Sequence, residues 1–122
     1  MDTNVIDPFE QLVAEALASL PEEIARLMDN VEVVVEDEPD QDQLRFVAPG
    51  HTLLGLYQGV PLTKRSVYAN ALPDKISIFR GPIIRVARTP ERIRAQVRRT
   101  VLHEIGHHFG IGEQRLHELG WG

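Results

Sequence analysis

Apolar residues recur along this chain with two periods, and the switches between them divide it into elements. Phe9, Leu12, Val13, Ala16, Leu17 and Leu20 follow the three-and-four spacing of one helix face. Asp7 suits the cap, Pro8 the first helical position and Glu10 the capping-box position, so a helix is predicted from residue 8. Ser19, Pro21, Glu22 and Glu23 open a second, short helix that should bury Ile24, Leu27 and Met28 before Asp29-Asn30 breaks it. The β-branched run from Val31 to Val35 predicts the first strand. Glu36 to Gln43 reads as an acidic, solvated loop, and Leu44 to Val47 as a strand or sheet edge ended by Pro49-Gly50. Leu53 to Leu62 is apolar but broken by Gly55, Gly59 and Pro61, which suggests a short strand entering a loop. Ile76 to Phe79, bounded by Pro73-Asp74 and Gly81-Pro82, predicts a further strand, expected at an exposed edge of the sheet.

The last long helix is the best-marked element. Thr89 caps it, Pro90 takes the first position, and Ile93, Val97, Val101, Ile105 and Phe109 recur every four residues. Gly110 and Gly112 end it, and a short final helix over Glu113 to Leu119 should turn Leu116 and Leu119 inward before Gly120-Trp121-Gly122. Strands and helices that do not alternate regularly predict an α+β fold. At 122 residues the expectation is one domain spanning residues 1–122.

Composition narrows the chemistry. Hydrophobic residues make up 43% and charged residues 25%, the balance of an ordinary folded domain. Cysteine is absent, which excludes disulfides, thiolate metal sites and a cysteine nucleophile. No apolar run reaches the ~20 residues of a membrane span, and Met1 to Asp7 lacks the basic and apolar start of a signal peptide. The expectation is a cytoplasmic protein with no membrane partner. Residues 1–43 carry thirteen acids against one base, Arg26, whereas the remainder carries five acids against twelve bases. The basic residues are interleaved with apolar core positions and lack an aromatic stacking pattern, so the halves are expected to neutralise each other. The Arg85, Arg88, Arg92, Arg94, Arg98 and Arg99 series is read as a solvated face paired with the acidic half, and nucleic-acid binding is not expected.

Four of the five histidines fall in the last twenty residues, and two of them belong to His103-Glu104-Ile105-Gly106-His107. Histidines four apart on a helix stand one turn above each other, so their imidazoles can converge on one ion. At about 100° per residue they point away from the Ile105/Phe109 stripe, with Gln96 and Thr100 on the same side. Glu104 lies one residue round, where a carboxylate can take a proton from an activated water. A shuffled chain of this composition carries the pattern about 2% of the time. With no cysteine, the ion expected is Zn²⁺ on two imidazoles and a third donor. After His107 the available donors are Glu113, His117 and Glu118, with Glu113 favoured and His117, one turn on, the alternative. His108 is read as a packing residue and His51 as a loop residue, while Tyr57, Tyr68, Lys64 and Arg65 are candidates for stabilising an oxyanion or binding a substrate carboxylate.

The run from His103 through Gly110 to Glu113 resembles the extended HExxHxxGxx motif of metzincin metallopeptidases, with glutamate in place of their last histidine and without their Met-turn. More of the chain resembles the minimal zincins, small bacterial metallopeptidase-like proteins. The resemblance runs through Leu54-Gly55-Leu56-Tyr57-Gln58-Gly59-Val60-Pro61-Leu62-Thr63, Pro73-Asp74-Lys75-Ile76, Thr100 to Gly110, and Leu119-Gly120-Trp121. It implies a reduced zincin fold, a three-stranded mixed sheet with the motif on a C-terminal helix, lacking the lower subdomain of larger zincin peptidases. The expected activity is zinc-dependent hydrolysis of a peptide or amide bond, with His103, His107 and Glu113 on the metal and Glu104 as general base. A peptide would add as a strand to the sheet edge, docked with help from a partner protein or a second copy of the chain. The competing expectation is a non-catalytic zincin scaffold that binds a protein partner and holds a structural metal or none.

Overall fold

The structure, a computed structural model, describes residues 7–26, 28, 31–45, 47, 52–59 and 74–118. Helix α1 (Pro8–Ala18) leads to a single turn, α2 (Glu22–Ala25), and then to strand β1 (Val31–Glu36). A second single turn, α3 (Gln41–Leu44), precedes β2 (Gly55–Gln58) and β3 (Asp74–Phe79). Three helices complete the chain: α4 (Arg80–Ala87), α5 (Pro90–His108) and α6 (Glu113–Glu118). The three strands form one mixed sheet in the order β1-β3-β2, with β1 parallel and β2 antiparallel to β3. This is the α+β arrangement that the sequence predicts. Among the described residues no helix is long and apolar enough to cross a membrane.

Register explains which side chains face the helices. Val33 pairs with Ile76 and Ile76 with Tyr57, while Val35 pairs with Ile78 and Ile78 with Gly55. Alternation along a strand puts these residues on one face, together with Asp74 at the start of β3. Ile76 and Ile78 pack there against Phe9, Val13 and Ala16 of α1, Ile83 of α4, and Val97, Val101 and Ile105 of α5. The four-residue stripe of α5 is thus its buried face, as its spacing predicts.

Ile76–Phe79 is the central strand, not an exposed edge. Ser77 is polar, yet all four residues of Ile76-Ser77-Ile78-Phe79 are fully buried. Ser77 tolerates burial because its hydroxyl donates to Glu36 Oε2 at 2.7 Å. Among the described residues, the edge beside α5 is β2. The expected strand at Leu44–Val47 is also corrected: Leu44 ends α3, and Val47 N–H donates back to Leu44 O. Asp40 and Gln43 form a reciprocal capping box there, each side chain accepting the other's backbone N–H at 2.8 Å. Gln43 is consequently buried, not solvated. Helix α4 has no counterpart in the sequence reading, which takes Gly81-Pro82 only as the end of a strand. The expected residues Leu27, Asp29, Asn30, Pro49, Gly50 and Leu119 to Gly122 lie outside the described residues.

Candidate metal centre

Helix α5 crosses the sheet most closely at β2. A Cβ on Gly55 would come within 2.6 Å of Thr100 Cγ2 and 3.3 Å of Glu104 Cγ, so only glycine lets the two backbones approach this far. That approach brings the Tyr57 N–H to 2.8 Å from Glu104 Oε1. The amide points away from β3, because Leu54 on the opposite alternation accepts from Phe79 N–H. Glu104 is buried, and its Oε1 also lies 3.2 Å from His107 Nδ1. Two donors therefore hold one carboxylate oxygen, and Oε2 makes no hydrogen bond with the described residues.

The end of α5 delivers a second carboxylate. Gly110 sits at φ 77°, in the left-handed region, where its N–H donates to His107 O while Ile111 N–H donates to Gly106 O. These two bonds form a Schellman closure that reverses the chain. Helix α6 then lies back on α5, with Leu116 fully buried against Gly106. A Cβ on Gly106 would fall 2.1 Å from Leu116 Cδ2, so the glycine inside the histidine motif is what seats α6. Glu113, at the start of α6, thereby places Oε1 2.7 Å from His107 Nε2 and 3.1 Å from His103 Nε2.

These separations resemble those between neighbouring donors of a tetrahedral site, about 3.3 Å apart for ligand bonds of ~2.0–2.1 Å. Donor atoms of His103, Glu104 and His107 also lie within 4.8 Å of one another. Two imidazole nitrogens and a carboxylate oxygen make a chemically suitable set for a borderline divalent cation. The Glu104–His107 contact has the form of the carboxylate that orients a ligating imidazole through its other nitrogen. The Glu104 hydrogen bond raises the His107 pKa above its ordinary value, burial opposes this, and Glu113 adds to the rise. For Glu113, burial raises the carboxyl but His107 and His103 outweigh it and hold it below the ordinary carboxylate range.

A cleft of about 380 Å³ opens over this cluster, between α5 and the segment running into β2. Its walls include Thr52, Leu54, Gly55, Gln96, Arg99, Thr100, His103, Glu104, His107 and Glu113. His117 is exposed on α6 and is not among these wall residues, and Glu118 pairs with Arg115 at 3.2 Å. His108 is fully buried, with Nδ1 2.8 Å from Asp74 Oδ2, and the Tyr57 hydroxyl donates to that same oxygen at 2.8 Å. Tyr57 thus serves the centre through its backbone amide, while its ring is anchored beneath. His51, Lys64, Arg65 and Tyr68 lie outside the described residues.

The sequence reading misses two contributors. Asp74 carries no local signal, since only the register of β3 turns it toward His108. Arg99 is expected among the solvated arginines that face the acidic half, but it lines the cleft instead. Its position four residues before His103 carries the signal, because that spacing shares a helix face.

A helix presenting paired histidines and a glutamate over a small mixed sheet defines a zincin-type protein. The family model described as zincin-like metallopeptidase matches residues 28–121, and the chain belongs to that family. A solved structure of a conserved hypothetical protein from Thermo thermophilus is similar at 28% sequence identity and a TM-score of 0.57. That similarity covers 84% of this chain and 91% of the other. No curated protein matches the sequence.

Proposed function

We propose that the protein is a zinc-dependent peptidase in which His103, His107 and Glu113 hold the metal and Glu104 is the general base. The observation that carries this is the convergence of Glu113 Oε1 on both imidazole Nε2 atoms, at 2.7 and 3.1 Å, beside a fixed Glu104. Bound there, zinc would supply Lewis-acid polarisation of the scissile carbonyl and of the attacking water.

The chain's own groups account for the proton transfers and for substrate placement. The Tyr57 amide and His107 hold Oε1 of Glu104, so Oε2 takes the proton of the attacking water and returns it to the departing nitrogen. The Tyr57 amide on β2 fixes the orientation of the Glu104 carboxylate relative to the imidazoles of its own helix. Gly55 shares the outward alternation of Tyr57, so its N–H and C=O point away from β3, toward the side on which an extended peptide would be laid along β2.

The test is zinc-loaded wild-type protein and Glu104→Gln on a mixed peptide library read by mass spectrometry. Cleavage by wild type should fall at least about a hundredfold in the variant at unchanged zinc content. Equal cleavage by both proteins would refute the role of Glu104. Failure of wild type to cleave any peptide, while binding zinc stoichiometrically, would favour the non-catalytic scaffold.

A further inference from the structure

Arg99 is the arginine among the described residues that lines the cleft over the histidines. Arg80, Arg85 and Arg94 are engaged by acids of the N-terminal half: Asp7 and Asp37, Glu38, and Glu15, respectively. Arg99 is exposed and lines the cleft, and its side chain makes no hydrogen bond or ion pair with the described residues. It stands one turn before His103, a rise of about 5.4 Å along the helix. Arg92, two turns earlier on that face, is likewise exposed and makes no ion pair with the described residues.

Strand direction says which part of a peptide would meet this charge. Gly55 lies against Thr100, and Tyr57 two residues later is bonded to Glu104, so β2 runs alongside α5 in the same direction. Thr52 and Leu53, ahead of β2, line the cleft with Gln96 and Arg99 at its other end. A peptide paired antiparallel to β2 therefore runs from the Tyr57–His107 end toward the Arg99 end. Its residues after the scissile bond pass Arg99. An extended chain advances about 3.3 Å per residue, so the first or second residue beyond the bond comes within reach of the guanidinium.

We infer that Arg99 selects peptides carrying a carboxylate on the C-terminal side of the scissile bond, whether an acidic side chain or the chain terminus. This rests on the peptidase reading for the position of the cut, but the recognition is also open to measurement without turnover. A guanidinium holds a carboxylate through two parallel N–H donors, a geometry that lysine lacks. Neither Gln96, Thr100, Thr52 nor Leu53, the other groups at that end, carries a competing charge.

The experiment has two arms. Zinc-loaded protein is given matched peptides with Glu, Gln or Lys at the first and second positions after the mapped cut, and with free or amidated C-termini. Glu or a free terminus should raise kcat/KM roughly fivefold or more over Gln. Arg99→Gln should abolish that preference, and Arg99→Glu should shift it to Lys. The free-terminus and side-chain peptides show which carboxylate is used. In the second arm, fluorescein-labelled peptides of the same set bind Glu104→Gln protein, with and without zinc, and are followed by anisotropy. The acidic peptide should bind more tightly, the difference should shrink with salt, and it should vanish when Arg99→Gln is added. Selective binding without cleavage sinks the peptidase reading and leaves the recognition standing. Cleavage indifferent to charge and to Arg99, a preference confined to the N-terminal side, or no binding of either peptide overturns the inference.

Discussion

His107 is held at both ring nitrogens by carboxylates, Nδ1 near Glu104 and Nε2 near Glu113. In metal-free protein this favours the imidazolium, so its stabilisation is complete below the ordinary value of 6.5 and is lost as pH rises through the raised folded value. Glu113 acts oppositely: its contribution is present above the ordinary 4.5 and is lost as pH falls through the lowered value. The metal-free protein should therefore melt highest at mildly acidic pH and lower on the alkaline side. Zinc must displace the His107 proton, so its affinity should climb with pH beyond the range of an ordinary histidine. Calorimetric melts in chelator and competition titrations with zinc check both slopes; a metal-free melt that rises toward alkaline pH would contradict the assignment. Beneath the centre, Asp74 and His108 are 2% and 0% exposed. Removing one member of such a buried pair strands the other, so Asp74→Ala should cost about 3 kcal/mol in urea unfolding.

At the scale of elements, the seating of α6 on α5 decides where Glu113 stands. Valine at Gly106 would drive a branched side chain into Leu116, so Gly106→Val should cost about 2 kcal/mol and weaken zinc binding at least about tenfold. Helix propensity opposes part of that cost, by less than about 1 kcal/mol. Denaturation and zinc titration of one variant separate the two effects, and unchanged zinc affinity would show that α6 does not position a ligand. Helix α5 and its histidines are legible in the sequence because cap, proline, stripe and terminal glycine agree over nineteen residues. Helices α3 and α4 are not, for local reasons. Asp40 and Gln43 have the capping-box spacing, but a single turn offers no period to recognise. Gly81-Pro82 reads as the end of a strand, and it is also the first turn of α4, where the N–H that proline lacks would have no helical partner. Long-range placement is the harder gap: the hydroxyl of buried Ser77 is satisfied by Glu36, forty-one residues earlier, which no local window of sequence contains.

Over the whole molecule, the charge split along the sequence becomes a set of bridges between layers. Arg80 joins Asp7 before α1 to Asp37 after β1 and lies over the Phe9 ring, 5.6 Å from its centroid. Arg85 reaches Glu38 through two bonds of 2.8 Å, and Arg94 reaches Glu15. Most of these partners are solvent-exposed, so each pair is worth ~1 kcal/mol or less. Arg80→Ala should lower stability by about 1 kcal/mol, with the deficit narrowing at high salt in paired melts. The closing helix has a different consequence. Helix α6 has six residues, and among the described residues Leu116 is its one buried side chain. Segments so lightly packed open far more often than the domain unfolds. On the proposed ligand set, each opening lifts a carboxylate off the ion, so the residence time of the metal becomes a local-opening clock. Exchange of the Leu116 amide, bonded to Gly112 O at 3.0 Å, would keep the same time.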